Sequence, residues 1–247
     1  MAPLLALLLS VSSSPASEAL CARAMTAYRR QDDSGALAAL RRARVEDPAD
    51  PEPAWREAFV LLAVANREPD GIRRRSMLSA GSAVAESLVV RSPSRADSWF
   101  VASLALGVEC QTAGPRRRVE LSKRLRVRLD RCLSLDPSHA GAWYLLGRWH
   151  EGIASLSAPE RFFADLLLGG IPAGASMDSA RLCLERADLL HPGDLQVLHD
   201  LARIQKLQGR RDEALATCRR GLSTPPSSAG DLANLRALER LRRDLRG

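Results

Sequence analysis

Apolar residues along this chain recur at intervals of three and four, and proline turns cut the runs at long spacings. Leu198, Leu201 and Ala202 share one helical face, Gly209-Arg210 turns the chain, and Ala214 and Cys218 face back from a second helix ended by Pro225-Pro226. A 3.6-residue period puts such positions on one stripe, so the pattern predicts an antiparallel helix pair. The unit before it opens with Trp143, Leu146, Gly147 and His150 and closes with Ala180, Leu184 and Ala187 ahead of Pro192. Gly147, without a side chain, lets the partner helix approach. Between the halves, residues 158–168 predict an additional helix carrying Phe162, Phe163, Leu166 and Leu167. Gly169-Gly170-Ile171-Pro172 stops it, and Ser176 caps the helix that begins at Met177.

Earlier pairs follow the pattern more loosely. Trp99, Ala102 and Ser103 open one, and Leu125, Leu129 and Cys132 close it across a polar linker at 111–118. Trp55, Phe59 and Leu62 open another, whose loop is Glu68-Pro69-Asp70-Gly71 and whose return helix covers 76–90. The first pair joins 21–30 to 35–45. A last helix at 231–245 sets Leu232, Leu235, Leu238 and Leu241 against a charged face, as the sealed end of a stack requires.

One signature marks the register. Asp47-Pro48 is followed by Trp55, Ser92-Pro93 by Trp99, Asp136-Pro137 by Trp143, and His191-Pro192 by Leu198. The last unit, from Pro192 to Pro226, resembles a tetratricopeptide repeat, with its period of about 34 residues. The expected fold is therefore all-α: a tetratricopeptide-like solenoid of helical hairpins, with an inserted helix in the fourth unit. Its units are 20–50, 51–95, 96–139, 140–194 and 195–228, and 229–247 form a C-terminal capping helix. The tryptophans are expected to pack between adjacent hairpins.

Composition sharpens this. The chain is 46% hydrophobic but only 4% aromatic, relying on Ala and Leu, which suits close helix packing better than strands. A net charge of +7 favours acidic partners. Arginine supplies most of it, and Lys123, Arg124, Arg126, Arg128 and Arg131 form a candidate basic patch. Residues 1–19 combine an apolar stretch with small residues suited to cleavage, so they are expected to be a secretory signal and the chain periplasmic or secreted; the alternative is a cytoplasmic protein. Five cysteines have neither C-x-x-C nor metal-ligand spacing and fall at helical core positions.

Candidate chemistry is sparse. His139 and His191 flank turns and are expected to be exposed, and His150 takes a packing slot. No H-E-x-x-H helix, nucleophile elbow or phosphate loop is present. No catalytic residue, cofactor or metal is assigned, and the chain is not expected to be an enzyme. It is expected to be an interaction scaffold that binds a peptide segment or an acidic protein surface through a helical-repeat groove. Non-core positions Arg148, Glu151, Arg203 and Lys206 are the candidate contacts. The alternatives are basic-surface binding to anionic lipid or nucleic acid, with the membrane surface preferred to nucleic acid, and a structural subunit of a larger assembly. A small-molecule substrate is disfavoured.

One stretch carries a family resemblance. Leu135-Asp136-Pro137, Gly147-Arg148-Trp149, Gly170-Ile171-Pro172, Ala180 and Ala187-Asp188 resemble the regulator of microtubule dynamics family in a bacterial-type member. That family has an L-D-P step, an L-G-R-W helix, a G-x-P-x-A loop and a helix ending K-A-E-x-L-x-P, matched here by Arg186-Ala187-Asp188-Leu189-Leu190-His191-Pro192. Its A-x-L-x-W-x-E-R stretch is met by Ala154, Leu156, Glu160 and Arg161, but its tryptophan is replaced near Ser157 or Ala158. The resemblance implies a tetratricopeptide-like interaction module and does not carry a tubulin partner with it.

Overall fold

The computed structural model describes residues 14–156 and 174–246. The inserted helix expected at 158–168, with Glu160 and Arg161, and most of the expected signal segment lie outside the described residues. The described residues form α1 (Pro15–Arg29), α2 (Asp33–Glu46), α3 (Glu52–Arg67), α4 (Gly71–Arg91), α5 (Ala96–Cys110) and α6 (Pro115–Leu135). They continue with α7 (Ala140–Ala154), α8 (Met177–Leu190), α9 (Leu195–Leu207), α10 (Arg211–Ser223) and α11 (Ala229–Asp244), with no strand among the described residues. Consecutive helices pair as α1–α2, α3–α4, α5–α6, α7–α8 and α9–α10. Each pair leans on the next, and α11 packs on both α9 and α10. The chain is a solenoid of helical hairpins.

Short polar side chains set the helix starts. Asp32 accepts from the Gly35 N–H, Asp70 from Ile72 and Arg73, Ser176 from Ser179, and Asp194 from Gln196 and Val197. Ser228 and Asp231 form a reciprocal capping box on α11. Besides that of α1, two starts come clearly earlier than the apolar pattern predicts. Asp70 caps α4 at Gly71, and Pro115, with φ suited to a first helical position, starts α6, so Arg116, Arg117 and Arg118 form its first turn instead of a linker. Helix α1 begins at Pro15, inside the segment assigned above to the signal. Its Ser17 is buried, with the hydroxyl 3.4 Å from Asp50.

The turn-plus-tryptophan signature has a hydrogen-bonding basis. The Trp99 indole N–H donates to the Pro93 carbonyl at 2.8 Å, and Trp143 donates to Pro137 at 2.9 Å. Each indole ties its own helix to the turn in front of it. Trp55 instead donates to Glu52 at 2.8 Å. These three are half-buried against the central core, and the fully packed indole is Trp149, which donates to the Ser122 carbonyl at 2.9 Å.

The core falls into blocks. A central one runs from Ala54 to Cys183 through Val101, Leu121, Leu129 and Trp149. An N-terminal block centres on Leu40 and Val60, and a C-terminal one on Leu198, Cys218 and Leu238. Ala180, Leu184, Leu201 and Ile204 form a small junction between α8 and α9. Gly147 makes the α7–α8 pair close: a β-carbon there would lie 3.0 Å from Leu184 Cγ and 3.1 Å from the Ala180 carbonyl oxygen. All five cysteines are free thiols, four of them buried, and burial pushes Cys132 up to about 12. No described helix is long and apolar enough to cross a membrane.

Candidate functional site

The inward faces of α1, α3, α5 and α7, with α6 and parts of α8, α9 and α11, line a concave groove of about 1510 Å³. Four rings from successive pairs form a ladder along it. Tyr28 meets Phe59 edge-on at 5.6 Å between centroids, Phe59 stacks on Phe100 at 6.5 Å, and Phe100 lies 4.6 Å from the His139 ring. Beyond the ladder, Ala63, Leu104, Leu145 and Ile153 continue an apolar floor. His139 is not exposed as its turn position predicts. Its side chain is 14% accessible, because Nδ1 accepts from the Ala142 N–H to cap α7 while the ring packs on Phe100. Gly141 makes room for that contact, since a β-carbon there would meet Phe100 at 2.8 Å.

Two other glycines face this space for no internal reason. Around Gly107 in α5 and Gly152 in α7, a β-carbon would find nothing within 4 Å, and both border the groove. A glycine inside a helix costs about 0.5–1 kcal/mol relative to alanine. Packing within the chain does not account for that cost at either position.

Most polar side chains along the groove are engaged with the chain itself. Asn66 accepts from the Gln111 amide, and Gln111 accepts from Arg74 at 3.1 Å. Arg67 pairs with Asp33 and lies over the Tyr28 ring. Ser122 donates to the Val119 carbonyl at 2.8 Å.

Three of the four expected contacts come together around a residue that the sequence did not single out. Asp200, on α9, is 2% exposed. It accepts from Arg148 at 2.8 Å, from the Tyr144 hydroxyl at 3.0 Å and from Gln196 at 3.2 Å. Arg148 also lies 3.3 Å from Glu151, and Glu151 pairs with Arg203. Burial would raise the Asp200 carboxyl, but the His199 imidazole 3.4 Å away and the Arg148 charge hold it well below the usual carboxylate range. Burial and the Asp200 charge keep the Tyr144 phenol well above its ordinary value. Of this set, Tyr144, Arg148 and Gln196 border the groove; Glu151 and Arg203 do not. Lys206 stands apart, 3.4 Å from Asp244 of α11.

The candidate basic patch is divided between two sides of its helix. At 100° per residue, Arg124, Arg128 and Arg131 share one face of α6, with Arg126 on the opposite side. Arg126 pairs with Asp130 at 2.9 Å and covers the Trp149 ring. Arg128, its side chain only 12% accessible, binds Glu86 at 2.8 Å and the Ala102 carbonyl at 3.1 Å. Arg124 and Arg131 are exposed and Lys123 half-buried. Among the described residues no three metal-ligating side chains are grouped.

A solved tetratricopeptide repeat protein from Thermus thermophilus shares this fold, with a TM-score of 0.67 at 20% identity over 91% of this chain and 99% of that one. The regulator of microtubule dynamics protein 3 of Bos taurus is 25% identical over 190 residues, covering 76% of this chain and 40% of its own length. Its Xenopus laevis counterpart is 25% identical over 137 residues, covering 55% of this chain and 29% of its own. The chain thus spans less than half the length of these curated relatives. The family model for regulator of microtubule dynamics proteins 1–3 matches residues 20–246, nearly the whole sequence, and the chain belongs to that family.

Proposed function

We propose that this chain is a protein-interaction scaffold whose concave groove takes a peptide segment of a partner. A tetratricopeptide-like solenoid in a regulator family supports an interaction role over an enzymatic one. The single observation that carries the proposal is the ring ladder from Tyr28 to His139, which runs ring to ring along the groove across four helix pairs. At about 1510 Å³ the groove exceeds the roughly 300–1,000 Å³ of small-molecule sites, which favours a chain segment over a metabolite. Apolar anchors supply the affinity, and acidic residues of the partner meet the arginines at the margin. Microtubule regulation is named for relatives of which this chain matches 40% or less, so only the interaction module is proposed here. Basic-surface binding is less well supported, because Arg126 and Arg128 are held by internal partners.

Photo-crosslinking in native extract tests this. A photoreactive residue replacing Leu104 in the groove is expected to capture a defined set of proteins, and Gly152→Leu is expected to suppress that capture. The same residue replacing Leu182, which is 55% exposed and does not border the groove, is expected not to capture that set. Equal capture from both positions would remove the groove from consideration.

A further inference from the structure

We propose that the groove's occupant is an amphipathic α-helix of a partner protein, seated apolar face down, and not an extended peptide; this rests on the groove being the binding surface. An extended segment brings a backbone N–H and C=O at every residue, and each needs a partner once water is excluded. Peptide-binding surfaces meet that demand with free polar side chains. Here Asn66 and Gln111 bond each other, Tyr144 and Gln196 bond Asp200, and Ser122 bonds the Val119 carbonyl. What remains along α3, α5 and α7 is Phe59, Ala63, Leu104 and Leu145, while His191 and Asn234 border the groove from the end of α8 and from α11. A helix satisfies its own backbone and asks the floor only for apolar contact.

Size and shape agree. A helix is a cylinder about 10–12 Å across, and a groove of about 1510 Å³ is large enough to seat a few turns of one. Gly107 and Gly152, unexplained by packing within the chain, remove side chains from the path of such a cylinder and let its side chains reach the backbones of α5 and α7. Charge sets one end. Arg116, 82% accessible at its side chain although it lies 3.5 Å from Glu120, and Arg118, which donates to the Ala113 carbonyl, border the groove. Both lie in the first turn of α6, whose Gly114 cap makes no side-chain hydrogen bond, so the helix dipole adds to their positive field. The docked helix therefore carries acidic residues where it meets this end.

A random peptide library selected on the whole wild-type chain, its winners then measured on both leucine variants, tests the inference. The expected winners place apolar residues at i, i+3, i+4 and i+7 with acidic residues between, and gain helical circular dichroism on binding. Their affinity is expected to fall by about tenfold or more against Gly107→Leu and Gly152→Leu. Neither substitution should lower Tm, because each fills open space and removes a helical glycine. Winners with alternating apolar residues and no helical signal would overturn the helix while leaving the groove in place. Peptides that bind both leucine variants undiminished would overturn helix and groove together. So would a failure to enrich any peptide, with or without uptake of acyl chains from phosphatidylcholine–phosphatidylserine vesicles.

Discussion

Asp200 shows how one buried charge organises its neighbours. Its carboxylate collects Tyr144, Arg148 and Gln196, fixing α9 against α7. Removing it leaves the Tyr144 hydroxyl without its acceptor and Arg148 without its ion pair. Arg148 is 45% accessible and recovers part of its hydration, so the usual cost of breaking a buried pair is reduced. Asp200→Ala is expected to lower stability by about 2–3 kcal/mol in urea unfolding at neutral pH. The pH dependence has a definite sign. Because the folded carboxyl lies below its unfolded value near 3.9, its contribution is complete above about pH 5 and fades as acid takes the pH down toward the folded value. The stability gap between the wild type and Asp200→Asn should accordingly shrink below about pH 4; a constant gap would exclude the charge as its source. Arg148 and Arg203 were legible as non-core helix positions, and the i, i+3 pairs Arg148–Glu151 and Asp200–Arg203 were visible signals of charge pairing. The burial of Asp200 was not, since it comes from Tyr144, 56 residues away in sequence.

Helices obey local rules where the rules are chemical, and tertiary ones where space decides. The apolar period located the hairpins, but α4 and α6 start earlier than it indicated, because Asp70 and Pro115 define starts that no apolar stripe reports. Two glycines separate the local and tertiary contributions. Gly152→Ala is expected to stabilise the chain by up to about 1 kcal/mol, the ordinary helix-propensity gain, since a β-carbon meets nothing there. Gly147→Val should destabilise by about 1–3 kcal/mol, because the Ala180 carbonyl oxygen at 3.1 Å belongs to the backbone of α8 and cannot turn aside. Thermal unfolding of the two variants side by side reads the difference. If both moved Tm the same way, the close approach of α7 to α8 would not be what Gly147 is for.

At the scale of the molecule, the repeat signature forecast the stack but not its inner surface. Phe59, Phe100 and His139 come from three different pairs and hold no common repeat position, so their alignment exists only once the pairs are stacked. The same segmentation shapes stability. In a stack, each unit is held chiefly by its neighbours, and a weak joint lets one block open before the rest. The joint between the central and C-terminal blocks is small, made by Ala180, Leu184, Leu201 and Ile204 beside the Asp200 cluster. Ile204 is fully buried, and truncation to alanine removes about 2–5 kcal/mol from that joint. All four tryptophans, Trp55, Trp99, Trp143 and Trp149, lie before it in sequence. Their fluorescence therefore follows the central block, while far-ultraviolet circular dichroism follows every helix. In Ile204→Ala the helical signal of α9, α10 and α11 should be lost at lower denaturant than the fluorescence change, splitting a transition that is closer to coincident in the wild type. If both probes move together by the same amount, the blocks unfold as one unit, and the joint is no weaker than the cores it connects.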